Sequence, residues 1–178
     1  MPYSYYLKSD ILLFYYNEIK KSGSTETDVD NFYNNFLRLY FPMEENYGIE
    51  QESRPLKELG VNQRTNFTVR YIKNGILKKV ILLEDKLSGK ETSASEWRNA
   101  LNQVVRYATL VRAEDVQNSN EILYLIVNMG TYLRFYQINP GNTDGVDFGP
   151  TEGKIFELAA DEEEVHTHFS TLRNLTHH

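Results

Sequence analysis

The chain has 178 residues, 40% hydrophobic and 25% charged, with a net charge of −6; this is the size of one ordinary domain, long enough to bury roughly 70% of its unfolded surface. It contains no cysteine, which excludes disulfides, thiolate metal centres and cysteine nucleophiles. The longest apolar runs, 11–16 and 122–127, hold six residues each against the roughly 20 needed to span a bilayer, so no membrane partner is expected.

In chain order, Ser9 caps a first helix running to Lys21, stopped by Ser22-Gly23-Ser24. Thr27 or Asp28 caps a second, in which Val29, Phe32, Phe36, Leu37 and Tyr40 keep helical spacing until Pro42. Tyr47 to Glu52 is a weak strand candidate. Asn66 to Lys73 alternates apolar and polar residues and is followed by Asn74-Gly75, a two-residue hairpin signal. The partner strand, Ile76 to Lys86, carries Val80-Ile81-Leu82-Leu83, a run that reads as buried on both faces. Ser93-Ala94-Ser95-Glu96 forms a capping box opening a helix to Arg112, with Trp97, Leu101, Val104, Ala108 and Val111 inward. A loop around Asn118-Ser119-Asn120 leads to two strands, Glu121 to Asn128 and Thr131 to Ile138, joined at Met129-Gly130. Pro140 to Gly153 reads as a long loop, and Asp161 starts a last helix with Val165, Phe169 and Leu172 inside. The order ααβββαββα predicts a single α+β domain.

The charge is unevenly spread. Residues 53–112 hold 12 basic against 5 acidic residues, while the rest holds 7 against 20. A basic middle between acidic flanks is compatible with a nucleic-acid surface and equally with a solvated mixed-charge one. Arg98 and Arg106, on the helix after the hairpin, are the candidate phosphate contacts. The N-terminus lacks a basic region followed by an apolar one, so the expectation is an intracellular protein, cytoplasmic or nuclear. The terminal pair His177-His178 is left out of the functional reading.

Glu84-Asp85-Lys86 closes the buried strand. Residues two apart on a strand share a face, so Glu84 and Lys86 project together and Asp85 points the other way. A carboxylate beside an ammonium suits phosphodiester hydrolysis. The carboxylate holds Mg²⁺, and the lysine orients water and offsets charge on the phosphorane. A bare Glu-x-Lys is more often a simple ion pair. Here the hairpin that ends in it opens with Arg64-Thr65-Asn66-Phe67-Thr68-Val69, and the next helix carries Gln103-Val104-Val105-Arg106-Tyr107.

In this order and spacing, over about residues 28–138, the sequence resembles the PD-(D/E)XK (restriction-endonuclease-like) nuclease superfamily. The Gln-x-x-x-Tyr helix is that of its lambda-exonuclease-like branch, and Gly130-Thr131-Tyr132-Leu133-Arg134-Phe135-Tyr136 is similar to the strand pair of its fungal members. The resemblance implies an α/β/α sandwich with a restriction-endonuclease-like mixed central sheet flanked by helices. It also implies an endonuclease-type hydrolase acting on DNA with Mg²⁺ or Mn²⁺. Glu84 would be a metal ligand and Lys86 the catalytic lysine, with Gln103 and Tyr107 lining the substrate side from one helix face.

One position departs from the family. Where the metal-binding aspartate belongs, this chain has Asn66, which keeps an oxygen ligand and loses its charge. Four readings stay open: a non-cutting relative that binds nucleic acid or a protein partner; a position changed deliberately to trap a complex; another acid (Glu50, Glu52 or Glu58) supplying the charge; or a metal held weakly by Asn66 itself. The histidines add little, since His166 and His168 lie two apart on a helix and point about 200° apart, as surface residues do.

Overall fold

The computed structural model describes residues 3–60, 62, 64–114 and 120–177. Four helices, α1 (Asp10–Ile19), α2 (Glu26–Tyr40), α3 (Ala94–Glu114) and α4 (Glu162–Thr176), surround one sheet of seven strands. The strands are β1 (Tyr47–Gln51), β2 (Phe67–Lys73), β3 (Ile76–Lys86), β4 (Leu123–Met129), β5 (Tyr132–Ile138), β6 (Val146–Asp147) and β7 (Phe156–Glu157). They lie in the order β1-β2-β3-β4-β5-β6, with β7 also on β5. β3 and β4 are parallel and the other pairs antiparallel. A parallel pair needs a crossover, and α3 supplies it. The fold is α+β with a mixed sheet between helical layers.

The hairpin forms as its turn chemistry requires. Asn74 and Gly75 both have positive φ, 53° and 77°, as a type I′ turn demands. Alternation along β3 then divides the core. Ile81 and Leu83 join a cluster with Phe32, Phe36 and Phe169 from α2 and α4, whereas Leu82 joins Trp97, Val104 and Ala108 of α3. By the same alternation Glu84 shares the α3 face and Asp85 the α2 face.

Several boundaries differ from the sequence reading. α2 starts two residues early because Thr25 and Asp28 make a reciprocal capping box. At α3 the box is half made: Ser93 Oγ accepts from the Glu96 N–H at 3.4 Å, but the Glu96 carboxylate pairs with Lys90 instead. The segment read as a loop contains the two-residue strand β6, and β7 follows it. Asn118 and Ser119 lie outside the described residues. The two histidines are not surface residues. His166 stacks on Tyr5 and bonds the Tyr40 hydroxyl, and His168 packs among Phe135, Phe148 and Phe156, where burial lowers its pKa.

The β4–β5 turn holds the carboxyl end of β3 in place. The Gly130 N–H bonds the Lys86 carbonyl at 3.0 Å, and a Cβ at Gly130 would stand 2.5 Å from Ser88 Cβ, at a φ of +57°. Gly130→Ala is therefore expected to destabilise the fold by about 2 kcal/mol, through strain and overlap together. Urea denaturation measures this; a loss under about 0.5 kcal/mol would mean that the turn relaxes freely.

Candidate nuclease-like cleft

Beyond the last pair of the β2–β3 register, Phe67 with Leu83, the next residues are Asn66 and Glu84. The site is thus built by the hairpin closing on itself. α2 and α3 bring further side chains to the same place, a cleft of about 380 Å³ that includes Glu26, Asp30, Asn66, Glu84, Lys86 and Gln103 in its walls.

On the α3 side, Lys86 Nζ donates to Glu84 Oε1 at 2.8 Å and to Gln103 Oε1 at 2.9 Å. Glu84 is 2% exposed, and its other oxygen faces the Thr65 hydroxyl at 3.5 Å. Burial raises the Glu84 pKa, and the Lys86 ammonium works against that rise. Lys86 remains accessible to solvent, so the pair has one buried and one open member.

On the α2 side, the Asn66 carbonyl oxygen accepts from the Asp85 N–H at 2.9 Å, and its amide group donates to Asp30 at 3.2 Å. Asp85, 1% exposed, accepts from the Asn128 amide across the β3–β4 pair. Among the described residues its second oxygen finds no N–H or O–H donor. Burial holds the Asp85 carboxyl well above the usual aspartate range, and the facing Asp30 carboxyl adds to this. Burial and the facing carboxyl of Asp30 thus both favour the protonated form of Asp85.

The structure brings Asn66, Glu84, Lys86 and Gln103 together, and leaves Tyr107 and Arg98 elsewhere. Tyr107 is 1% exposed, with its hydroxyl on Ser53 at 3.1 Å, away from the cleft. Arg106 lines an adjoining trough with Arg64, Asn99, Asn102 and Gln103, while Arg98 lines a different one with Trp97, Arg134 and Asp147. Of the acids considered as substitutes for residue 66, Glu52 reaches the cleft, paired with Arg64 at 3.0 Å; Glu50 is taken by Arg70 at 2.7 Å. Sequence reasoning missed Asp30 and Glu26. They are i and i+4 on α2, a spacing that puts both on one helix face.

The donors fit a hard dication in kind, being carboxylate and amide oxygens. Among the described residues, however, no three acids or histidines converge on one point. Glu84 and Asn66 would be the ligands, with Glu26 and Asp30 as further carboxylates in the cleft walls. No protein-family model, curated protein or solved structure matches the chain.

Proposed function

We propose that the chain is a Mg²⁺-dependent nuclease hydrolysing DNA phosphodiester bonds, of the PD-(D/E)XK kind, slowed by asparagine at position 66. One observation carries this reading: Lys86 Nζ bridges Glu84 and Gln103 at the open end of a buried strand, in a cleft shared with Asn66. The resemblance names these four positions together with Tyr107, which lies outside the cleft. The divalent ion, when bound, supplies Lewis-acid polarisation of the phosphate and a more acidic water. The chain's own groups do the rest. The Glu84 carboxylate sets a negative oxygen at the cleft floor. The Lys86 ammonium, half in solvent, holds water or a phosphate oxygen and offsets charge developing there. Gln103 fixes the ammonium by accepting a hydrogen bond from one of its three N–H donors.

A second reading, a non-cutting module that binds nucleic acid or a protein partner, draws on a different observation. Both polar atoms of Asn66 already have protein partners, so the amide satisfies Asp30 without a cation.

Calorimetric titration with Mn²⁺ tests the first reading. The chain should bind one ion weakly, at millimolar dissociation constant or thereabouts, and Glu84→Ala should lose the heat at least tenfold. Unchanged binding in Glu84→Ala would remove the metal from this cleft.

A further inference from the structure

Gln103 and Arg64 belong both to the cleft and to the adjoining trough of about 520 Å³, whose other walls are Asn99, Asn102 and Arg106. Residues 99, 102, 103 and 106 recur at the i, i+3, i+4, i+7 spacing of one helix face. All four are exposed. Among the described residues, the side chains of Asn99, Asn102 and Arg106 have no hydrogen-bond or ion-pair partner. Other basic residues of the chain's middle are largely engaged: Arg70 with Glu50, Lys78 with Glu121 and Lys79 with Glu114. Arg106 is thus a cation with its charge free, beside the free amides of Asn99 and Asn102 and the Gln103 amide that already bonds Lys86.

We propose that this row, together with Arg64, is a track for a single polynucleotide strand whose reacting phosphate lies at Lys86. The proposal rests on the reading above that nucleic acid is the substrate, and it adds the form of that substrate. Seven residues of helix span about 10 Å, enough to lie along two or three consecutive phosphates of one strand. Three cations, Arg106 with its charge free and Arg64 and Lys86 exchanging Glu52 and Glu84 for phosphate, match two or three phosphates of one strand. They fall short of a duplex, which carries a charge every ~1.7 Å. Glu26 and Asp30 on the remaining cleft wall would repel a second strand. Asn99, Asn102 and Gln103 each offer a donor and an acceptor, and so suit base edges that have no Watson–Crick partner. Among the described residues no aromatic side chain lines either cavity, so binding depends on phosphates and amides and is salt-dependent.

The test is fluorescence anisotropy in EDTA, with a labelled single-stranded oligodeoxynucleotide and its hairpin duplex. The single strand should bind more tightly than the duplex, with a log–log salt slope of about −2. Arg106→Glu should weaken binding about tenfold or more, and Asn102→Asp several-fold. Arg98→Glu, in the other trough, should change it less than twofold. Tighter duplex binding, equal losses at Arg98 and Arg106, or no binding at all would overturn the track. Because EDTA prevents metal-dependent cleavage, the result is independent of the nuclease reading. Binding along the row with no cutting in Mn²⁺ keeps the track and rejects the nuclease.

Discussion

Asn66→Asp should destabilise the metal-free chain by about 1–3 kcal/mol at pH 8, and Mn²⁺ should reverse the loss. The amide now gives Asp30 a donor at 3.2 Å; a carboxylate there meets Asp30 as a like charge. The oxygen that accepts from the Asp85 N–H is kept, so the backbone connection survives and the penalty is electrostatic. A dication between residue 66 and Glu84 removes the repulsion and supplies the charge partner. Metal affinity should rise at least tenfold. At a concentration one hundred times the dissociation constant, binding alone contributes about 2.7 kcal/mol, enough to offset the loss. Thermal melts with EDTA and with Mn²⁺ measure both halves. A variant as stable as the parent without metal, and indifferent to it, would show that residue 66 lies outside the site.

Asp85→Asn should flatten the dependence of stability on pH and make the chain more stable than the parent at alkaline pH. Burial, with Asp30 facing it, raises the Asp85 pKa in the folded state. The folded chain then holds a proton that the unfolded chain releases near pH 3.9. Stability from this group is full below that value and falls as pH rises toward the folded pKa, with a slope of up to about 1.4 kcal/mol per pH unit. An asparagine keeps the shape and a donor for Asp30, and it cannot ionise. Glu84 is shifted the same way by its burial and leaves a residual slope. For Glu114 and Glu121, burial pushes the carboxyls up, but the Lys79 and Lys78 ammoniums outweigh it and leave them low. Their stabilisation is lost only as pH falls below the ordinary glutamate range, so the difference between parent and variant in urea denaturation from pH 5 to 9 reports Asp85. Parallel curves for parent and variant would mean that Asp85 is ionised throughout.

The elements legible in the sequence were those with strong local chemistry. Asn74-Gly75 specified a turn, and the alternation of 66–73 and the apolar run of 80–83 specified the strands beside it. β6 and β7, two residues each, are too short for any period to show. Of the two side chains that bond Lys86, Glu84 was legible through strand alternation and Gln103 only through the resemblance. The α2 contribution was not: Asp30 and Glu26 look like a solvated acidic face until the hairpin docks against them. Tyr107 shows the limit of spacing arguments. It stands only about 40° round α3 from Gln103, yet that turn carries its ring into the core and its hydroxyl to Ser53. Arg98, about 80° round from Arg106, leaves the trough for the same reason. Asp85 was correctly expected to point away from Glu84, but nothing in the sequence marked it as a fully buried acid.

Cleavage by Asn66→Asp tests the central claim most directly. End-labelled DNA is incubated with Mn²⁺ and the parent, Asn66→Asp, or Asn66→Asp with Lys86→Ala. The account predicts slow cutting by the parent, at least tenfold faster cutting by Asn66→Asp, and loss of that gain when Lys86 is removed. Cutting that persists without Lys86, or no cutting by Asn66→Asp although it binds metal, would contradict it.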